Sequence, residues 1–175
     1  MMASSAAHGW KGLAQGDAIM WPFGRKHPGI DSLPPIADEG QLWTVATGHL
    51  DGSPIIVRLN EAARLWRGHP GLPVKLGFAV PLNSPVEGGL PTTEEHERLI
   101  GIEGIVVREV GARTRALHAM TLTTGVMKEF VFYIPTGVDI GAIHRAVQTA
   151  VDSHEVQCMA VMEPRWESFR RFGGR

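Results

Sequence analysis

Glu103 is the residue whose type and position in this sequence could carry chemistry. It lies in a stretch, residues 90–112, whose apolar positions repeat at helical spacing and form one stripe: Leu99, Ile100, Ile102, Val106, Val107 and Val110. Glu103 falls inside that stripe, so the helix turns its carboxylate toward the core. A carboxylate there must find a partner or take up a proton. The pattern therefore predicts either a structural pair or a general acid or base.

Structural pairing is the favoured role for Glu103, because buried ion-pair networks perturb carboxylates as active sites do. The candidate partners from elsewhere in the chain are Arg58, Lys75, Arg115, the Tyr133 hydroxyl and the Trp166 indole N–H. His96 lies on the same side of the helix, but seven positions correspond to about 10 Å of rise. A direct pair between His96 and Glu103 is therefore excluded.

The other reactive side chains show no spacing typical of a catalytic or metal site. The eight histidines form no H-x-H or H-E-x-x-H motif, and there is no G-x-S-x-G motif and no phosphate-binding loop. The single cysteine, Cys158, alternates with Val156 and Ala160, which indicates a buried structural thiol. The sequence thus predicts no catalytic residue, no metal and no cofactor.

The elements that must position Glu103 form an α+β pattern. Thr92 is a good N-cap for its helix, and Glu95 three residues later completes a capping box. From Val74 onward the order is strand, helix, strand, strand, helix, strand, the ferredoxin-like split βαβ, preceded by an extra N-terminal β-hairpin. The predicted strands are 42–47, 55–59, 74–80, 114–123, 128–134 and 155–162. The predicted helices are 61–67, a long helix within 90–112 that follows the Thr92 cap, and 140–151, and 163–175 is a tail.

Composition sets the domain organisation and excludes several function classes. Residues 1–40, rich in Gly, Pro, Ala and Ser, are predicted to be an irregular N-terminal extension, and residues 41–175 a single α+β domain. A net charge of −1 gives no electrostatic footprint for nucleic acid. No run approaches the roughly 18 apolar residues of a membrane-spanning helix. One cysteine suits a reducing compartment, so the expected location is the cytoplasm.

The sheet face turned away from the two long helices, called the outer face below, is predicted to be apolar. Strand alternation assigns it Gly77, Ala79, Val131, Tyr133, Met159 and Val161. Such a face is too apolar to be left bare. Three interpretations follow: the chain's own hairpin and tail cover it, a second subunit covers it, or it is a binding platform.

An ordered set of short motifs runs through the same region. It consists of Trp43, Gly89-Leu90-Pro91 with Glu94-Glu95, Ile102-Glu103, Glu129-Phe130-Val131-Phe132-Tyr133 and Glu163-Pro164-Arg165-Trp166. Through this ordered set of motifs, residues 41–172 resemble a family of uncharacterised bacterial proteins, the domain-of-unknown-function family six-nine-five. That family usually has Asp where Glu163 stands. Some members are joined to a domain similar to the protein inhibitor of ribonuclease E, so the resemblance implies a regulatory or interaction role by association only.

The leading functional hypothesis is a non-enzymatic cytoplasmic binding or regulatory module. Its expected partner is an unknown protein or a second copy bound through the outer face, with no nucleic acid and no membrane. The alternative is a small-molecule-binding protein or enzyme that uses Glu103 as acid or base in a pocket near Tyr133 and Trp166. Trp43, Glu103, Tyr133 and Trp166 are the candidate functional cluster.

Overall fold

The computed structural model describes residues 27–36 and 40–173, so most of the predicted extension lies outside the described residues. The strands are β1 (Trp43–Leu50), β2 (Ser53–Asn60), β3 (Val74–Pro81), β4 (Leu117–Thr123), β5 (Met127–Ile134) and β6 (Gln157–Met162). The helices are α1 (Glu61–Trp66), α2 (Thr93–Gly111), α3 (Ile140–Ala150) and α4 (Glu167–Gly173). The molecule is therefore mixed α+β, as predicted.

The six strands form one antiparallel sheet in the order β1-β2-β4-β5-β3-β6. The N-terminal hairpin β1–β2 pairs with β4 and so extends the sheet at that edge. It does not fold over the outer face. At the other edge β6 pairs with β3.

Two apolar cores lie on opposite sides of the sheet. The inner core packs α2 and α3 on the inner face, with Leu76, Phe78, Phe130, Phe132, Leu99, Val106 and Ile143 all fully buried. The outer core packs α1 and α4 on the outer face, with Val57, Leu59, Met120, Trp66, Trp166 and Phe169 buried. Since β5 contributes Phe130 and Phe132 to one core and Val131 and Tyr133 to the other, it is covered on both sides, which explains its unbroken apolar run.

Helix α2 begins as the sequence indicates, but its predicted capping box forms only in part. Thr92 Oγ1 accepts the Glu95 backbone N–H at 3.3 Å. The Glu95 side chain does not complete the box. Its carboxylate is buried, accepts the Asn83 backbone N–H at 2.7 Å and lies 3.1 Å from His154 Nε2. Glu95 thus ties the start of α2 to the chain on either side of it, a role that local spacing could not reveal.

After residue 162, where the sequence predicts a tail with no helix assigned to it, the structure has α4, which covers part of the outer face. Seven residues are too few for a helix that is stable in isolation, so α4 owes its stability to packing. Trp166, just before α4, holds a left-handed backbone with φ of 56° and is fully buried. No helix among the described residues is long and apolar enough to cross a membrane.

Candidate functional site

A β-bulge in β4 creates the polar cluster on the inner face. The pairing of β4 with β5 shifts between His118 and Met120, so Ala119 is an extra residue. As a result His118 and Thr121, three positions apart, both point to the inner face, and His118 Nε2 lies 3.2 Å from Thr121 Oγ1. Regular alternation would have put them on opposite faces.

Glu103 of α2 meets two cations from the sheet in this cluster. Arg58 Nη1 donates to both carboxylate oxygens at 3.1 Å, and Lys128 Nζ lies 3.1 Å from Oε2. The Lys128 side chain is 1% exposed, Glu103 13% and Arg58 33%. The predicted structural pairing of Glu103 is therefore made, and Arg58 was among its candidate partners, whereas Lys128 was not.

The electrostatics of the cluster keep Glu103 ionised. Burial alone would raise the pKa of Glu103, but the neighbouring His118, Lys128 and Arg58 outweigh it and hold the pKa below its ordinary value. Burial lowers the pKa of Lys128, with the Glu103 charge opposing the change. Burial also lowers the pKa of His118 to about 4, so this imidazole is neutral at pH 7.

Trp43 joins the cluster from the edge strand β1. Its ring is half-buried, lies edge-on to His118 at 5.0 Å between centroids, and carries the Arg58 guanidinium 4.8 Å above its own centroid. The stacked cation is attracted by the face of the indole. Trp43 and Glu103, both selected from the sequence, are thus brought together through Arg58.

Tyr133 and Trp166 form a separate pair on the outer face. Their rings stack at 3.7 Å with an angle of 4°. The Tyr133 hydroxyl donates to Glu163 at 2.6 Å, and the Trp166 indole donates to the Leu72 carbonyl at 2.9 Å. Glu163 also accepts from the Ser168 backbone N–H at 2.8 Å, which secures the first turn of α4.

The four predicted cluster residues therefore do not form one site. The sheet separates Trp43 and Glu103 from Tyr133 and Trp166, so neither aromatic group is a partner of Glu103. Strand alternation carried this signal, because Tyr133 falls on the face away from α2. Each pair has its polar groups bonded within the protein and serves packing. Trp43 and Glu103, through Arg58, hold α2 against the hairpin, and Tyr133 with Trp166 holds the C-terminal segment against the sheet.

A third feature, which sequence reasoning missed, is the carboxylate of Glu129 on the outer face. It is half-buried in β5 and accepts no hydrogen bond from any described residue. A Cβ on Gly77 of the neighbouring strand would lie 2.8 Å from Glu129 Oε1, so the carboxylate rests over bare backbone. Burial raises the pKa of Glu129, and the charge of Lys75 only partly offsets this.

Two cavities adjoin at Glu129, and together they are called the outer groove below. One, of about 220 Å³, also has Lys75, Leu122, Met127, Ser168, Arg171 and Phe172 in its walls. The other, of about 200 Å³, is lined by Gly77, Ala79, Glu129, Gln157, Cys158 and Met159. The groove follows the part of the outer face that α1 and α4 leave uncovered.

Cys158 is only half-buried, although its alternation had indicated a buried thiol, and its side chain packs against the inner core. Burial raises its pKa to about 11. A thiol with so high a pKa is a poor nucleophile at neutral pH. Among the described residues no group of three or more His, Cys, Asp and Glu side chains is placed to hold a metal ion.

Comparison with known proteins places the chain at family level. Residues 41–172 match the model of a family described as Family of unknown function (DUF695). The match covers the whole sheet and all of α4 except its last residue, and includes Trp43, Glu103, Tyr133 and Trp166. No curated protein and no solved structure matches the chain.

Proposed function

The chain belongs to this family of unknown function, and we propose that the protein is a non-enzymatic binding or regulatory module whose outer groove receives a basic side chain of a partner protein. The observation that carries the proposal is the Glu129 carboxylate. It is half-buried, and no described residue donates a hydrogen bond to it. The carboxylate is partly desolvated, and a charge-assisted hydrogen bond from a partner's cationic side chain would stabilise its ionised form.

The shape and lining of the groove support a lysine or arginine as the bound side chain. Around Glu129 the second cavity is lined by the backbone of Gly77 and by the side chains of Ala79 and Met159. These groups provide an apolar surface for the aliphatic stem of a lysine or arginine. The stem would lie on this surface while the cationic end reaches the carboxylate.

The alternative of an enzyme using Glu103 has less support. That carboxylate is already held by Arg58 and by the buried Lys128. Tyr133 and Trp166, the expected walls of its pocket, lie across the sheet and are occupied by Glu163 and the Leu72 carbonyl. Proton transfer by Glu103 would require breaking an ion pair in a largely desolvated position.

We also propose finer assignments for the fold and the location. For β3 to β6 a ferredoxin-like split βαβ is supported by the strand order β4-β5-β3-β6 and by α2 and α3 packing on one face. A cytoplasmic location is supported by the sole cysteine, which leaves no intramolecular disulfide to form.

Selection from a phage-displayed library of random peptides tests the groove. Peptides enriched on the protein are expected to share an arginine or lysine, and Glu129→Gln is expected to remove that preference because it removes the charge. Glu87→Gln, the same change at an exposed loop residue, is the control and keeps the preference. Enrichment without a basic residue, or equal enrichment on Glu129→Gln, would overturn the proposal.

The same variant has a predictable effect on stability. Since the folded protein raises the pKa of Glu129, ionised Glu129 destabilises the fold at neutral pH, and that cost falls as the pH is lowered toward the folded pKa. Glu129→Gln is therefore expected to have a higher thermal midpoint than the parent at pH 7. The difference between the two midpoints is expected to be smaller near pH 4. Differential scanning calorimetry at both pH values measures this; a lower midpoint at pH 7 would contradict it.

A further inference from the structure

Strand β6 is an edge strand without the usual protection against pairing. Its sequence, Gln157-Cys158-Met159-Ala160-Val161-Met162, contains no charge and no proline, and its register with β3 is unbroken. Met159, Val161 and Met162 are 55%, 44% and 61% exposed. Natural sheets normally protect an edge with lysine, proline or a bulge, because unpaired N–H and C=O groups attract another strand.

On its outer edge the backbone of β6 presents a definite set of hydrogen-bonding groups with which no described residue pairs. Just after the strand, the Glu163 N–H donates to the Pro73 carbonyl at 2.8 Å, so the backbone of residue 163 points toward β3. Along an antiparallel edge strand the backbone groups alternate between the neighbour and the outside. Cys158, Ala160 and Met162 therefore direct their N–H and C=O groups outward.

These outward groups are self-complementary about Ala160. An antiparallel copy of β6 centred on this residue sets Ala160 opposite itself and Cys158 opposite the second copy's Met162. Each such pair exchanges two N–H···O bonds, so every outward group of the strand is satisfied. On the outer face the same register sets the exposed Met159 opposite the exposed Val161 of the second copy.

Charge at the ends of β6 favours the same arrangement. Glu155 precedes the strand and Arg165 follows it, and both are exposed. Antiparallel pairing brings the acidic end of one copy to the basic end of the other, whereas parallel pairing would bring like charges together. Pairing of β6 with β1 of another copy is heterologous and would continue into an open chain, while β6 with β6 closes a two-fold dimer.

We propose that two copies of the chain join through β6 in an antiparallel, two-fold pairing centred on Ala160, which forms one continuous sheet. The dimer is independent of the basic partner proposed above, although it places the second copy's Val161 beside Met159 at the wall of the outer groove. The sheet edge, and not the outer face itself, is then the interface between copies.

Sedimentation equilibrium on the full chain tests the assembly. The parent protein is expected to sediment as two 19.0 kDa chains at micromolar concentration. Val161→Lys is expected to weaken the dimer by roughly tenfold or more, because it sets a charge on the edge of each copy. Val45→Lys, at a more exposed position on the opposite edge β1, is the matched control and leaves the dimer intact. Glu129→Gln also leaves it intact, which separates this test from that of the groove.

Disulfide cross-linking tests the register and does not depend on weakening the fold. Opposed residues of a hydrogen-bonded pair have Cα atoms about 5.5 Å apart, within the range a disulfide spans. Ala160→Cys in a Cys158→Ser background, oxidised with diamide, is expected to give a covalent dimer, and Val45→Cys in the same background a monomer. A monomeric parent at high micromolar concentration, dissociation by Val45→Lys alone, or cross-linking through residue 45 would each overturn the proposal.

Discussion

Replacing Glu103 with alanine is expected to lower the free energy of unfolding by about 3–5 kcal/mol, the usual cost of removing one partner of a buried ion pair. The change leaves Lys128, whose side chain is 1% exposed, without its counter-charge. Arg58 suffers less because a third of its side chain is exposed and water can solvate it. Urea denaturation of the variant and the parent measures the difference.

Two further variants identify the mechanism. Glu97→Ala, an exposed glutamate on the same helix, is the control and is expected to stay within about 0.5 kcal/mol of the parent. Adding Lys128→Met to Glu103→Ala is expected to recover most of the loss, since the stranded charge is then gone. A Glu103→Ala cost no larger than that of Glu97→Ala would refute the role of the ion pair.

Acid is expected to destabilise the protein between pH 6.5 and pH 4, with His118 contributing on the order of 3 kcal/mol. Burial lowers the folded-state pKa of His118 to about 4, while the unfolded chain titrates near 6.5. Between these values the unfolded state binds a proton that the folded state does not. The contribution of His118 is therefore complete above the unfolded pKa and is lost as the pH falls through this window.

A variant that cannot titrate isolates this contribution. His118→Gln is expected to show a shallower dependence of unfolding free energy on pH over the same range, whatever its stability at pH 7. His96→Gln, at an exposed position of α2, keeps the slope of the parent. Urea denaturation at half-unit pH steps gives the slopes; an unchanged slope in His118→Gln would show that burial does not lower the pKa of His118 in the folded state.

The periodic pattern of apolar residues predicted much of the secondary structure, because secondary structure depends largely on residues close in sequence. Helical spacing with the Thr92 cap placed α2, and period-two alternation placed β3 with its buried Leu76 and Phe78. The same spacing turned Glu103 inward. Since a carboxylate there cannot remain unpaired, the need for a partner also followed from the sequence.

Helix α4 marks a limit of local pattern. Its seven residues carry too little helical signal to stand alone, and its first turn is held by Glu163, Tyr133 and Trp166 docking on the sheet. Only the folded sheet supplies that docking surface. The tail therefore becomes a helix for a tertiary reason.

The sequence by itself determined that the protein is α+β, that α2 buries Glu103, and that the outer face needs cover. Only the tertiary structure decided which cations meet Glu103, since Arg58 and Lys128 come from β2 and β5. It also decided that His118 joins them, because one extra residue in β4 turns its ring inward. Local periodicity fixes the direction of a side chain relative to its own element. The neighbour that the side chain contacts depends on strand order and register. These are set by the free energy of the whole sheet and cannot be read from short-range sequence patterns.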